Sequence, residues 1–294
     1  MVCLVGVDGS EGSRVALRWG YDFAAAMGDR LCVLRAWEYP SLVMLPGQPA
    51  LRGPDEVDAD VAGKVIEFVR EVLGADAEHA EVSAERGPAD FALLRAAKNM
   101  QPVALVVGKR GLGSVSGRLL GSVSRRLAEH APCPVIIVPP EPARAPGPII
   151  VGVDGSANSV AAMQWAVTVA QATGASIIAV SGFTSPIGEL AGAVFEPLLR
   201  DARAIVDGQR QVAAAAGIEC RTVVTALDPR VLLRQVARQS SAYMIVVGAR
   251  GIGPLEVLLM GSVASYLAQY SDCPVVIVPL PDRSRIESSP EEER

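Results

Sequence analysis

One long stretch of this chain is written twice, and the repeat limits the folds open to it more than any other feature. Residues 108–124, GKRGLGSVSGRLLGSVS, and residues 248–264, GARGIGPLEVLLMGSVA, share the spacing Gly-x2-Gly-x9-Gly-Ser. LVGVDGS at 4–10 returns as IVGVDGS at 150–156, Trp19 as Trp165, and PVIIVP at 134–139 as PVVIVP at 274–279. Early landmarks recur at an offset of 146 residues and late ones at 140, so the second copy is six residues shorter between them. A unit this long lies far beyond solenoid periods and reads as a duplicated domain. The 294 residues give each copy an ordinary domain length.

Within the first copy the apolar patterning predicts a strand over 2–8, a helix over 11–27 closed by Gly28, a strand over 30–37 and a Pro/Gly-rich loop over 38–55. Val61, Val65, Phe68, Val69 and Val72 fall at helical spacing and predict an amphipathic helix over 56–73. A strand near 78–84, a helix over 88–99, a strand over 103–107, a helix over 121–131 and a strand over 134–138 complete the unit. Strands alternating with helices imply a parallel sheet covered on both faces. Scarce aromatics (4%) among 50% hydrophobic residues fit central strands buried on both sides. Domains are expected at 1–140 and 149–280. Between them lies a proline-rich linker, 141–148, expected to keep the halves apart as folding units; a charged tail, 281–294, is expected to be disordered.

In each copy the repeated motif follows a buried strand and leads into a helix. Glycine permits close approach and unusual φ, and a helix amino terminus adds partial positive charge, so the guest expected there is an anion, phosphate foremost. Gly-x4-Gly-Lys-Ser/Thr is absent, and no Gly-x-Gly-x2-Gly opens a helix after the first strand, which removes the main support for two familiar nucleotide folds. Singly, a glycine after a strand is an ordinary turn, a serine before a helix an ordinary cap, and Asp-Gly-Ser a turn with a helix start. The joint spacing, met twice, reverses that judgement for the glycine loops, and only in part for Asp8 and Asp154.

The motif, at Gly108, Gly111, Gly121, Ser122 and again at Gly248, Gly251, Gly261, Ser262, resembles that of the nucleotide-binding members of the universal stress protein family. The resemblance covers about residues 1–280. It implies an α/β fold of two tandem doubly wound domains, each a five-stranded parallel sheet of order 3-2-1-4-5 with helices on both faces. The switch point between strands 1 and 4 is where such sheets bind ligands. Carried over, Asp8 and Asp154, preceded by Val7 and Val153, would lie near the ribose and phosphates and could hold Mg. Ala36 and Gly182 would meet the adenine edge, and Val107 and Val247 would flank sugar or base. The glycines would cradle the phosphates together with Ser122, Val123, Ser124, Ser262 and Val263. The cofactor implied is ATP with Mg, in a regulator or sensor of the stress response. A slow ATPase or nucleotide-transferring enzyme is one alternative, and a nucleotide-free interaction scaffold another. No residue stands out as a catalytic base, so none is assigned to catalysis.

Copy one carries Lys109, Arg110, Ser116 and Ser124 where copy two has Ala249, Arg250, Glu256 and Ala264. These differences predict tighter ATP binding in copy one. A net charge of −5 and few aromatics argue against nucleic acid as a partner. The amino terminus lacks a secretory signal pattern and no apolar run reaches membrane-spanning length, so a cytoplasmic protein without membrane insertion is expected. Five cysteines without a Cys-x2-Cys pair suggest neither zinc nor a disulfide framework, and are expected as buried small residues. The family commonly dimerises through the last strand, which implies a pairing of the two domains within the chain and a homodimer beyond it. Trp19 and Trp165 are expected as packing residues.

Overall fold

The computed structural model describes residues 1–38, 54–112, 119–142, 147–184, 191–251 and 260–280, with the backbone alone for 54–58 and 191–195. Outside them lie most of the predicted 38–55 loop, the tail 281–294, the middle of the linker, and Ser116 and Glu256. The first half runs β1 (Val2–Gly6), α1 (Glu11–Met27), β2 (Arg30–Trp37), α2 (Pro54–Leu73), β3 (Ala80–Arg86), α3 (Ala89–Met100), β4 (Ala104–Gly108), α4 (Ser122–His130) and β5 (Val135–Val138). The second repeats it with β6 (Ile149–Gly152), α5 (Ala157–Thr173), β7 (Ile177–Gly182), α6 (Ala191–Ala215), β8 (Cys220–Thr225), α7 (Pro229–Gln239), β9 (Met244–Gly248), α8 (Ser262–Tyr270) and β10 (Val275–Val278).

Local chemistry sets the ends of these elements. The Ser10 hydroxyl accepts from Ser13 N–H at the start of α1, and Gly28 closes the helix in the left-handed region at φ 67°. Ser156, Ser159 and Gly174 do the same for α5. β1 stops at Gly6, short of the predicted residue 8, because Gly9 takes φ 87° and the Asp8 carboxylate accepts from Ser10 N–H, turning the chain out of the sheet. β3 starts at Ala80 rather than near 78, since a single 3-10 segment, Gly74–His79, follows α2.

Each half has strand order 3-2-1-4-5, and the two join in one ten-stranded sheet, β3-β2-β1-β4-β5-β10-β9-β6-β7-β8. All neighbours within a half are parallel. The junction β5·β10 is antiparallel, with Ile136 opposite Val276. Successive residues of a strand face opposite sides. Cys3 and Val5 therefore join the core under α1, α2, α5 and α6, whereas Leu4 joins the core under α3, α4, α7 and α8.

Both cores run through the two halves. The proline-rich segment separates the halves in sequence, and the shared sheet and shared cores pack them against each other. Because the last strands are consumed within the chain, a homodimer would have to use another surface. All five cysteines are free thiols; Cys3, Cys32 and Cys133 are buried, and Cys220 and Cys273 are half-buried. Among the described residues no helix is long and apolar enough to cross a membrane.

Candidate functional site

The antiparallel junction places the carboxyl ends of the two sets of parallel strands on opposite edges of the sheet. The chain therefore carries two separate candidate sites, one at the tips of β1 and β4 and one at the tips of β6 and β9.

At the first, the Asp8 carboxylate accepts from Ser10 N–H at 2.9 Å and reaches across to Leu112 N–H at 2.8 Å, inside the glycine loop. A Cβ on Gly111 would stand 2.1 Å from Asp8 Oδ2, so only glycine admits this approach. The second site repeats the arrangement: Asp154 accepts from the N–H and hydroxyl of Ser156, and a Cβ on Gly251 would stand 2.4 Å from Asp154 Oδ2. The oxygen that Gly111 and Gly251 let in is thus the protein's own carboxylate.

The first glycine of each motif has a packing role. A Cβ on Gly108 would meet Gly12 O at 2.6 Å, and one on Gly248 would meet Asn158 Cβ at 2.5 Å, so the strand tip lies directly on α1 or α5. The third glycine closes the loop: Gly121 N–H donates to Lys109 O at 3.0 Å, and Gly261 N–H donates to Ala249 O at 2.8 Å. Both are helix N-caps, with φ −61° and −68°, and neither helix has a side-chain cap. A Cβ on Gly261 would meet nothing closer than 3.5 Å, an ordinary contact. Among the described residues neither backbone angle nor packing accounts for a glycine at 261, whereas a Cβ on Gly121 would stand a tight 3.3 Å from Lys109 O.

Ser122 and Ser262 are exposed at these helix starts, and Val123 and Val263 are half-buried beside them. The first-turn N–H groups of a helix have no partner within it and carry the positive end of its dipole. In α1 and α5 the serine caps close that end; among the described residues no side chain caps α4 or α8, nor α3, which starts after Pro88.

Other predicted site residues are placed differently. Val107 and Val247 are buried against the backbone of Gly6 and Gly152, in the core under α3 and α7. Val7 and Val153 are buried in the opposite core, their N–H groups donating to Leu34 O and Val180 O. Ala36 is half-buried near the end of β2; Gly182 ends β7 with its Cβ position 2.6 Å from Leu227 O.

Lys109 and Ser124, two of the groups used to rank the copies, are committed to protein partners, as is Arg110, which both copies carry; Glu256, the third, lies outside the described residues. Lys109 Nζ lies 3.4 Å from Ser271 O in the other half, Arg110 Nε donates to Leu119 O, and the buried Ser124 hydroxyl donates to Gly108 O at 2.8 Å. Their presence in copy one therefore no longer argues for tighter binding there. A residue that sequence reasoning missed is Arg35, whose Nη1 lies 3.6 Å from the position a Cβ on Gly9 would take; at Gly155 the corresponding place is filled by Ile205. A charged residue inside the otherwise apolar run LCVLRAW was the available signal.

Burial by itself would raise the Asp8 carboxyl, but hydrogen bonds from Ser10, Leu112 and Ser13 outweigh it and hold the group below the usual aspartate range. A folded value below the unfolded one, about 3.9, means that ionised Asp8 stabilises the fold above that pH. This stabilisation is lost as pH falls through the lower folded value. Asp8→Asn is expected to be less stable than the parent at neutral pH and to lose less stability on acidification from about pH 5 to pH 2. Urea curves across that range check it, and parallel losses in the two proteins would contradict it.

Among the described residues no group of three or more His, Cys, Asp or Glu side chains could hold a metal ion. One carboxylate beside each loop fits Mg only if a ligand supplies further oxygens.

A model of the universal stress protein family matches residues 1–139 and again 147–279. A universal stress protein of Mycobacterium tuberculosis is 32% identical over 290 residues, covering 93% of this chain and 95% of the relative. One of Mycolicibacterium smegmatis is 30% identical over 288 residues, covering 94% and 96%. The crystal structure of a universal stress protein from Archaeoglobus fulgidus shares the fold, with TM-score 0.67 at 22% identity over 95% of this chain and 98% of that one.

Proposed function

The chain belongs to the universal stress protein family, and from that premise we propose that it binds ATP at both glycine loops and acts as a nucleotide-dependent regulator. The observation that carries this reading is the contrast between helix starts. α1 and α5 are closed by serine hydroxyls, whereas α4 and α8, which follow the motif, begin at glycines with no side-chain cap. First-turn N–H groups with no side-chain cap among the described residues, beside exposed Ser122 and Ser262, suit phosphate oxygens.

Asp8 and Asp154 stand against the same loops, and a carboxylate facing a polyphosphate calls for a cation between them. Binding is therefore expected to need Mg, with Asp8 and Asp154 each contributing an oxygen and the phosphates the rest. Ala36 and Gly182, at the ends of β2 and β7, offer backbone edges for the base. An anion cradle supplies binding; catalysis would require groups that act more strongly on the transition state. The role is accordingly that of a switch whose nucleotide occupancy alters contacts with other molecules.

The test is to denature the purified chain, identify released nucleotide, and repeat with Gly121→Val and Gly261→Val, singly and together. ATP retained by the parent and lost in the double variant is the expected result. No nucleotide in the parent, and none taken up from added Mg-ATP, would reduce the loops to turns and favour a scaffold.

A further inference from the structure

We propose that Lys109 ties the first glycine loop to the helix carrying the second, so that occupancy of either site changes the affinity of the other. The affinity clause rests on the reading of both loops as nucleotide cradles.

The backbone of Lys109 belongs to the first loop: its N–H donates to Val138 O and its carbonyl accepts from Gly121 N–H. Its side chain leaves that domain. Nζ approaches Ser271 O at 3.4 Å, and the residue is only 9% exposed. Ser271 closes α8, its N–H donating to Leu267 O. The carboxyl end of a helix carries partial negative charge, so a buried cation there stabilises the helix in its seat. Asp272 follows; burial would raise its carboxyl, but Arg238, Arg234 and Lys109 hold it below the usual range.

At the other end of α8 stand Gly261 and Ser262, the start of the second cradle. Nine residues of helix span about 13 Å and move as a unit. Loop one therefore holds one end of α8, and a ligand on loop two would hold the other.

The duplication supplies its own control. Ala249 stands where loop one has Lys109, and Ala131 and Pro132, after α4, stand where Ser271 and Asp272 follow α8. The reverse strut, from loop two to α4, thus lacks its cation. All three differences fall at one junction, where the antiparallel meeting of β5 and β10 brings the tip of β4 beside the start of β10. One strut suffices for a two-way effect, because coupling between binding sites is reciprocal whatever its path.

Two measurements on the full chain test the strut. Without nucleotide, exchange of the hydrogen-bonded amides of α8, from Ser265 N–H to its last turn, is expected to quicken about five-fold in Lys109→Ala, with α4 unchanged and the parent rate restored by Lys109→Arg. In Mg-ATP titrations, disabling site one with Gly121→Val is expected to shift the affinity of site two about five-fold, and to shift it less than about two-fold when Lys109→Ala is also present. Unchanged α8 exchange in Lys109→Ala overturns the proposal, as does an equal cross-effect with and without the lysine. A parent that binds no Mg-ATP overturns the nucleotide reading and the affinity clause with it. Binding in the parent with α8 exchange unmoved overturns the strut alone.

Discussion

Replacing Gly111 by alanine is expected to remove binding at the first site and to lower stability by about 1–3 kcal/mol, although the change adds a single methyl group. That methyl would lie 2.1 Å from Asp8 Oδ2, so the carboxylate must swing away. It then loses the Leu112 N–H and the arrangement that holds Ser10 N–H, both charge-assisted bonds. A displaced carboxylate also projects into the space where phosphate oxygens would sit. Asp8→Ala removes the obstacle, so the double variant Asp8→Ala/Gly111→Ala is expected to be about as stable as Asp8→Ala alone. Denaturant curves for the four proteins close the cycle. Simple additivity would show that Gly111 and Asp8 act independently, against the geometry. Gly251 with Asp154 forms the matching cycle in the second domain.

Phe23→Ala is expected to have the largest effect on stability, a loss of about 3–5 kcal/mol, and to separate the unfolding of the halves. Phe23 is fully buried in α1. Its ring stacks on Trp19 of its own helix at 5.3 Å and on Trp165 of α5 at 6.1 Å. Trp19 continues the stack to Tyr243 at 5.5 Å, and Trp165 Nε1 donates to Val103 O at 3.3 Å. One ring thus stands at the centre of an aromatic cluster crossing between the halves, each pair worth about 0.5–1.5 kcal/mol beyond area burial. Truncation leaves a cavity at the seam, beside strands joined by only a short antiparallel ladder. Tryptophan fluorescence and backbone dichroism in urea are expected to give coincident transitions for the parent and distinct ones for Phe23→Ala. A single transition with a loss under about 1 kcal/mol would show that the cluster does not hold the halves together.

What could be read from the chain was what local chemistry sets. The serine and glycine caps of α1 and α5, the extent of α1, and the order of elements follow from residues a few positions apart. The doubled motif marked both candidate loops because its spacing is itself local. The contact of Gly111 with Asp8 was not legible for the opposite reason: the oxygen it admits belongs to a residue about a hundred positions away, and nothing in the loop announces it. Lys109 was read as a loop cation facing phosphate. It points to Ser271 because β5 and β10 pair antiparallel, a fact of topology that turns the tip of β4 toward the start of β10. Trp19 and Trp165 were legible as packing residues; that Phe23 would stack on both and join them across the seam was not. Arg35 was passed over because the strand reads as core, yet its guanidinium lies beside Gly9.

The central claim is that each glycine loop is a nucleotide cradle, and equilibrium titration of the full chain with Mg-ATP tests it most directly. The expected stoichiometry is two per chain for the parent, one for Gly121→Val, one for Gly261→Val and none for the double variant, with the fold of each confirmed by its dichroism. Two sites in the parent that persist in the folded double variant, or none in the parent, would contradict it.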